Sequence, residues 1–236
     1  MAELVDAVPA RALAVYAHPD DAEMSCGGTL ARWAAAGAEL HVCMCTLGDK
    51  GSSDPATDPA ELAARRRAEV RSAAKVLGIA GEHHLDVPDG ELDDTLELRG
   101  RLVALIRRLR PEVVVAPDPT AVLFGQHYLN HRDHRVAGWA TLDAVSPAAG
   151  SPHYFPEAGA PHRVDTMYLS GTLEPNVWID ISRSIDTKIE ALACHASQVG
   201  EPDEWLRTVV RERAEEAGRA ARVPFAESFR RLSLQA

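Results

Sequence analysis

The chain has 236 residues, 46% of them hydrophobic and 25% charged, with a formal net charge of −10 at pH 7. That length and apolar content suffice for a single α/β domain, 1–236, with a sizeable core. The acidic balance argues against a general nucleic-acid binder or a protein of anionic membrane surfaces, and no apolar run approaches bilayer length. The opening Met1-Ala2-Glu3-Leu4-Val5-Asp6 lacks a basic region followed by an apolar core, so no signal peptide is expected and the cytoplasm is the expected compartment.

In chain order, Leu13-Ala14-Val15-Tyr16 reads as a buried strand, followed at once by Ala17-His18-Pro19-Asp20-Asp21-Ala22-Glu23. A helix is expected from a Ser25 N-cap to Gly37, with Gly27-Gly28 allowing backbone to approach the site. G-x-G-x-x-G is absent, so no dinucleotide is inferred. In the next strand Cys43 and Cys45 alternate onto one face as small buried hydrophobes, and Cys26 falls near the first motif. Residues 48–59 form a loop by composition, either a cover for the site or a passive connection. The helix 60–77 puts Arg66 and Glu69 on its apolar side, as a buried ion pair or as a substrate contact.

His83 and His84 precede a short third strand and face opposite ways; Pro88-Asp89-Gly90 is a turn. A helix with Leu98, Leu102, Leu105, Ile106 and Leu109 on one stripe is expected to leave its arginines solvated. The fourth strand, Glu112–Pro117, leads into a loop, 118–130, that carries His127 and Tyr128. His131-Arg132-Asp133-His134 then opens a helix, with His131 and His134 one turn apart. Residues 146–161, rich in proline, are an irregular excursion, a lid or a subunit contact. Two later strands, Val164–Leu169 and Asn176–Ile181, precede a helix ending near His195. A charged helical region, about 202–236, opens with an exposed helix, Pro202–Gly218.

The expected architecture is therefore a Rossmann-like open, mostly parallel sheet with helices on both faces. In such sheets ligands bind beyond the carboxyl ends of the strands, where strand order reverses. If the first and fourth strands are neighbours there, the two histidine motifs face one crevice. His18, Asp21 and His134 then offer two imidazoles and a carboxylate, a usual set for one catalytic zinc ion that leaves room for water. Asp20 and His131 remain beside it as acid/base groups, with Asp20 placed to take a proton from attacking water. Tyr128 is placed to donate to an oxyanion, and Asp133 to orient a ligand from behind.

The first motif followed by Cys26-Gly27-Gly28-Thr29-Leu30, and His131-x-Asp133-His134, resemble the signatures of the PIG-L/LmbE-like zinc N-deacetylase family. Gly48-Asp49-Lys50-Gly51, Arg66-x-x-Glu69, Leu77-Gly78, Pro88-Asp89-Gly90-Glu91-Leu92, His195-Ala196-Ser197-Gln198 and Phe225-Ala226-Glu227-Ser228-Phe229-Arg230 match in order, nearly along the whole chain. The resemblance implies an LmbE-like fold, zinc (with iron(II) as the other candidate), a homo-oligomer, and removal of an acetyl group from an amino sugar, glycoconjugate or small amide. It further implies that Arg66 and Asp89 contact substrate, and that His131 stabilises the tetrahedral intermediate or protonates the leaving amine. Ala22 separates Asp21 from Glu23 where many members have glutamate directly, which leaves Glu23 open beyond a place behind the ligands. The roles of His127, His153 and His195 also stay open. The alternatives are a thiol-conjugate amidase of the same family and a non-catalytic metal- or sugar-binding module.

Overall fold

The computed structural model describes residues 2–200 and 204–234. Its elements begin with β1 (Glu3–Leu4), β2 (Arg11–Tyr16), α1 (Asp21–Ala35), β3 (Glu39–Thr46), α2 (Pro59–Leu77) and β4 (Gly81–Val87). They continue with α3 (Leu96–Leu109), β5 (Val113–Pro117), a small hairpin of β6 (Leu123–Phe124) and β7 (Tyr128–Leu129), α4 (Arg132–Asp143) and β8 (Thr166–Ser170). The last are β9 (Val177–Asp180), α5 (Ile185–Ala193), the short α6 (Ala196–Val199), α7 (Glu204–Ala221) and β10 (Ala226–Ser233).

Eight strands form one sheet in the order β1-β9-β10-β8-β5-β2-β3-β4. β2 pairs in parallel with both β3 and β5, so the chain winds outward through β4 and then returns to the other side of β2. The reversal of strand order thus lies between the strands that precede the two histidine motifs. Both faces of the sheet are covered. Along β2, Ala12, Ala14 and Tyr16 join the core under α1, α2, α5 and α7, while Leu13 and Val15 join the one under α3 and α4. This period of two, with apolar residues in both phases, is why the strand reads as an unbroken hydrophobic run.

Three expectations are corrected. The charged C-terminal region is not helical throughout: α7 ends at Ala221, and β10 inserts antiparallel between β8 and β9. Nor is α7 simply exposed, because Leu206, Val210, Ala214 and Gly218 recur every four residues and are buried. The expected start at Pro202 lies outside the described residues. The arginines of α3 are not all solvated. Arg107 is buried and donates to the carbonyls of Ala148, Ala149, Ser151, Tyr154, Phe155 and Gly159. It anchors the 146–161 excursion, which runs on to His162, whose Nε2 lies 2.7 Å from the carbonyl of Pro111 at the start of β5. The excursion therefore sits at the amino edge of the sheet, opposite the histidine motifs, and is no lid.

α1 also departs from expectation. It starts at Asp21 rather than after Ser25 and breaks at Cys26 (φ −142°, ψ 17°). The amides of Gly28 and Thr29, freed by the break, donate to Glu227 of β10 at 3.0 and 2.8 Å, and Lys188 of α5 neutralises that carboxylate at 2.6 Å. Glu227 is thus a helix cap supplied from another element. The Gly27-Gly28 pair serves packing rather than the site: a Cβ on Gly28 would lie 2.7 Å from Ile181 Cδ1. Cys26, Cys43 and Cys45 are buried free thiols.

Candidate active site

The turn after β2 carries His18, Asp20 and Asp21, and the N-terminus of α4, which follows β5, carries His131, Asp133 and His134. The parallel pairing of β2 with β5 brings the two together. His18 Nδ1 lies 3.1 Å from His134 Nε2 and 3.4 Å from Asp21 Oδ2, and His134 Nε2 lies 3.1 Å from Asp21 Oδ1. Nitrogen and oxygen donors about 2.0–2.1 Å from a tetrahedral zinc stand about 3.3 Å apart, so the two imidazole nitrogens and the Asp21 carboxylate, which turns one oxygen to each histidine, have the spacing of one face of such a coordination shell. The donor set fits a divalent cation. His131 stacks on His134 with ring centroids 5.0 Å apart, and His18, His131 and His134 also form a group with metal-ligand spacing.

The outward-facing nitrogens are spoken for. His18 Nε2 lies 3.0 Å from Asp89 Oδ1 and 3.6 Å from Asp133 Oδ2, and His134 Nδ1 lies 2.9 Å from Asn130 Oδ1. These acceptors place the ring protons outward and leave His18 Nδ1 and His134 Nε2 with lone pairs facing Asp21. Asp89 thus abuts His18 while also lining the crevice, and Asp133 additionally accepts from the amide of Gly90 at 2.7 Å. Asn130 had no functional signal in the sequence other than its spacing, one helical turn before His134.

Five carboxylates, Asp20, Asp21, Glu23, Asp89 and Asp133, converge here. Burial disfavours charge on His18, but hydrogen bonds to Asp133, Asp21 and Asp89 outweigh it and push its pKa up to about 12. A cation held between these side chains would take that proton's place. Burial alone would raise Asp21, yet His134 and His18 hold it well below the usual carboxylate range. Burial, with the charges of His134 and His18, lowers His131. Tyr128, half-exposed on the hairpin with its ring 6.0 Å from that of His131, is raised chiefly by burial and stays a neutral phenol.

Asp20 occupies the left-handed region (φ 111°), a conformation that costs a non-glycine residue about 1–3 kcal/mol. Arg66 holds the turn. Its guanidinium donates to the carbonyls of Pro19 at 2.5 Å and Gly48 at 3.0 Å, and pairs with Asp20 Oδ1 at 3.2 Å. Burial, with the adjacent Asp21, pushes the Asp20 pKa up to about 7 against the opposing pull of Arg66 and His195. Arg66 and Glu69 are not paired with each other. Glu69 turns instead to Ser197, accepting from its amide at 2.9 Å and its hydroxyl at 2.6 Å. Glu23 faces the fully buried His195, with Glu23 Oε2 3.4 Å from His195 Nε2. His127 and His153 are exposed.

A crevice of about 400 Å³ opens over His18, Asp20, Asp21, His131 and His134, walled by Lys50 and Gly51 of the 48–59 loop, by Asp89 and by Gln198. That loop lies against Arg66: a Cβ on Gly48 or Gly51 would come within 2.4 or 2.6 Å of its Nη1. A larger cavity of about 580 Å³ adjoins, sharing Asp21 and His134 and lined by Tyr16, Phe124 and Tyr128.

Residues 13–145 match the PIG-L family, described as GlcNAc-PI de-N-acetylase. The chain belongs to this family. It is 35% identical to the diacetylchitobiose deacetylase of Thermococcus kodakarensis over 84% of this chain and 76% of that one. It is 33% identical to a 1D-myo-inositol 2-acetamido-2-deoxy-alpha-D-glucopyranoside deacetylase of Rhodococcus jostii, covering 80% and 82%. The solved structure of N,N'-diacetylchitobiose deacetylase from Pyrococcus horikoshii with an inhibitor superposes with a TM-score of 0.86 at 28% identity, covering 95% of this chain and 84% of that one. The PIG-L match ends within the segment after α4, so the α7 and β10 walls of the cavities fall outside it. Among the described residues no helix is long and apolar enough to cross a membrane.

Proposed function

We propose that this PIG-L family chain is a zinc-dependent N-deacetylase that hydrolyses the amide of a small N-acetylated substrate, an amino sugar or its conjugate. The observation that carries the reading is the trio of donor groups, His18, Asp21 and His134, whose nearest atoms lie 3.1–3.4 Å apart, with Asp20 beside them. His18, Asp21 and His134 are the proposed ligands. When bound, the cation supplies a Lewis acid that polarises a carbonyl and acidifies water.

The chain's own groups supply the rest. Asp20 takes the proton of the attacking water; its pKa near 7 makes it a stronger base than an ordinary aspartate while leaving it largely ionised at slightly alkaline pH. Arg66 fixes the Asp20 turn from behind and is a positioning residue, its Nη1 and Nη2 groups donating to Gly48, Pro19 and Asp20. His131, stacked on His134, stabilises the tetrahedral intermediate or protonates the leaving amine. The Tyr128 hydroxyl is a second donor for the oxyanion. Mere metal or sugar binding needs neither a strained aspartate nor an arginine to hold it.

The test is release of primary amine from a panel of N-acetylated amino sugars, glycoconjugates and cysteine-conjugate amides. Protein stripped of metal is compared with protein reloaded with zinc or iron(II). Metal-dependent release from an N-acetyl sugar is expected. Stoichiometric metal binding without release from any substrate would favour the binding module, and release from the thiol conjugates alone would favour the amidase.

A further inference from the structure

Asp21 and His134 line both the 400 Å³ crevice and the 580 Å³ cavity, so the candidate ligands stand in the partition between two chambers. An amide carbonyl held at that partition carries two substituents, the amine and the acyl chain, and the chambers offer one place for each. They differ in chemistry. On the crevice side, Asp89 Oδ2 and the His131 ring nitrogens have no hydrogen-bond partner among the described residues, and Lys50 stands in the wall. The cavity is walled by Tyr16, Met24, Pro117, Phe124 and Tyr128, and most of its polar atoms are spent within the protein. The Tyr16 hydroxyl meets Ser170 Oγ at 2.7 Å, and Asn130 serves His134 and the Ala121 carbonyl. Asp118 accepts from Thr120 with one oxygen; the other is buried in the wall, without a donor among the described residues. Ser25 and the exposed Arg213 stand at the junction with a third cavity, of about 290 Å³.

A hydroxylated amine moiety belongs in the crevice, among free hydrogen-bonding atoms and beside His131, and the acyl chain is left the aromatic cavity. An acetyl methyl is about the size of a water molecule, which takes up about 30 Å³ of the liquid. The cavity, at about 580 Å³, is far too large for it. We infer that this cavity is an acyl pocket, and that the protein also hydrolyses N-acyl amino sugars whose acyl group is apolar and longer than acetyl. The inference takes its reaction and its metal site from the deacetylase reading and adds which acyl groups are accepted.

The experiment measures kcat/KM of the zinc-loaded protein and of Ser25→Phe on N-acetyl-, N-butyryl- and N-hexanoylglucosamine. Burial favours binding by about fourfold per methylene, so kcat/KM is expected to stay within a few-fold of the acetyl value or to rise, through KM. Ser25 lines the cavity one helical turn from Asp21, and Ser25→Phe is expected to cut the hexanoyl-to-acetyl ratio about tenfold or more. A fall of about tenfold or more from acetyl to butyryl, or a ratio unmoved in Ser25→Phe, would overturn the pocket while leaving the deacetylase reading intact. So would a gain, lost in Ser25→Phe, on N-acetylglucosamine glycosides with apolar aglycones, because the amine moiety would then occupy the cavity. If no amide is hydrolysed, that reading fails on this panel, and calorimetry with the carboxylate products decides the pocket. Hexanoate binding the zinc-loaded protein more tightly than acetate, with the difference lost in Ser25→Phe, supports it; equal binding overturns it.

Discussion

Two buried arginines, Arg66 on α2 and Arg107 on α3, are 3% and 4% exposed and pack on opposite faces of the sheet. Arg107 donates to six backbone carbonyls of the 146–161 excursion and has no carboxylate partner among the described residues. Arg66 donates to two carbonyls and also pairs with Asp20. Carbonyls are neutral at every pH, so Arg107 ties down a loop in a way that acidity does not change. A carboxylate titrates, so Arg66 couples the same kind of anchoring to the proton affinity of the group beside the metal site. One residue type thus holds structure at the amino edge of the sheet and tunes chemistry at the carboxyl edge.

The comparison breaks most sharply at Asp20. Asp20→Asn keeps the side chain's shape and its contact with Arg66 but removes the base. Turnover is expected to fall about 10³-fold, with metal content by elemental analysis unchanged; equal turnover would end the mechanism. Arg107→Met should act only on stability. Leaving several carbonyls unpaired is expected to cost about 3 kcal/mol or more in urea unfolding, with the kcat of the folded protein near wild type.

Asp89→Ala removes the nearer acceptor of the His18 ring. Zinc affinity, measured by competition with a chelator, is expected to weaken about 10–100-fold. The smallest and most diagnostic effect belongs to Arg66→Met. A cation beside Asp20 favours its ionised form, so losing Arg66 raises the Asp20 pKa. Activity is carried by ionised Asp20 and therefore rises with pH; in the wild type this limb should lie at or below about 7, because bound metal lowers it further. In Arg66→Met it should move to higher pH by about one unit. An unmoved limb would make Arg66 a structural anchor of the Arg107 kind.

Much of the site was legible because its chemistry is local to two short motifs, each behind an apolar run. The long strands β2, β3, β5, β8 and β9 and the helices α2 to α5 followed from periodicity, since burial of one face imposes a period of two or 3.6 on the residues that meet it, whereas the two-residue strands β1, β6 and β7 are too short to carry one. Arg107 misled because its neighbours are charged: Arg107-Arg108 next to Arg110 reads as a solvated face, and nothing within one turn announces six carbonyls arriving from forty or more residues later. β10 was missed because Glu227, Arg230 and Arg231 interrupt its apolar pattern; within the strand, the Glu227 side chain is buried as a helix cap.

By itself, then, the sequence determined which side chains stand at the carboxyl ends of the first and fourth large strands, because alternation, motif and turn chemistry act over a few residues. Only the tertiary structure decided how those side chains are used. Asp89 and Asn130 orient the two histidines, and Arg66 holds the Asp20 turn. Each of these depends on which atoms meet after the sheet has closed, over separations at which no local pattern survives.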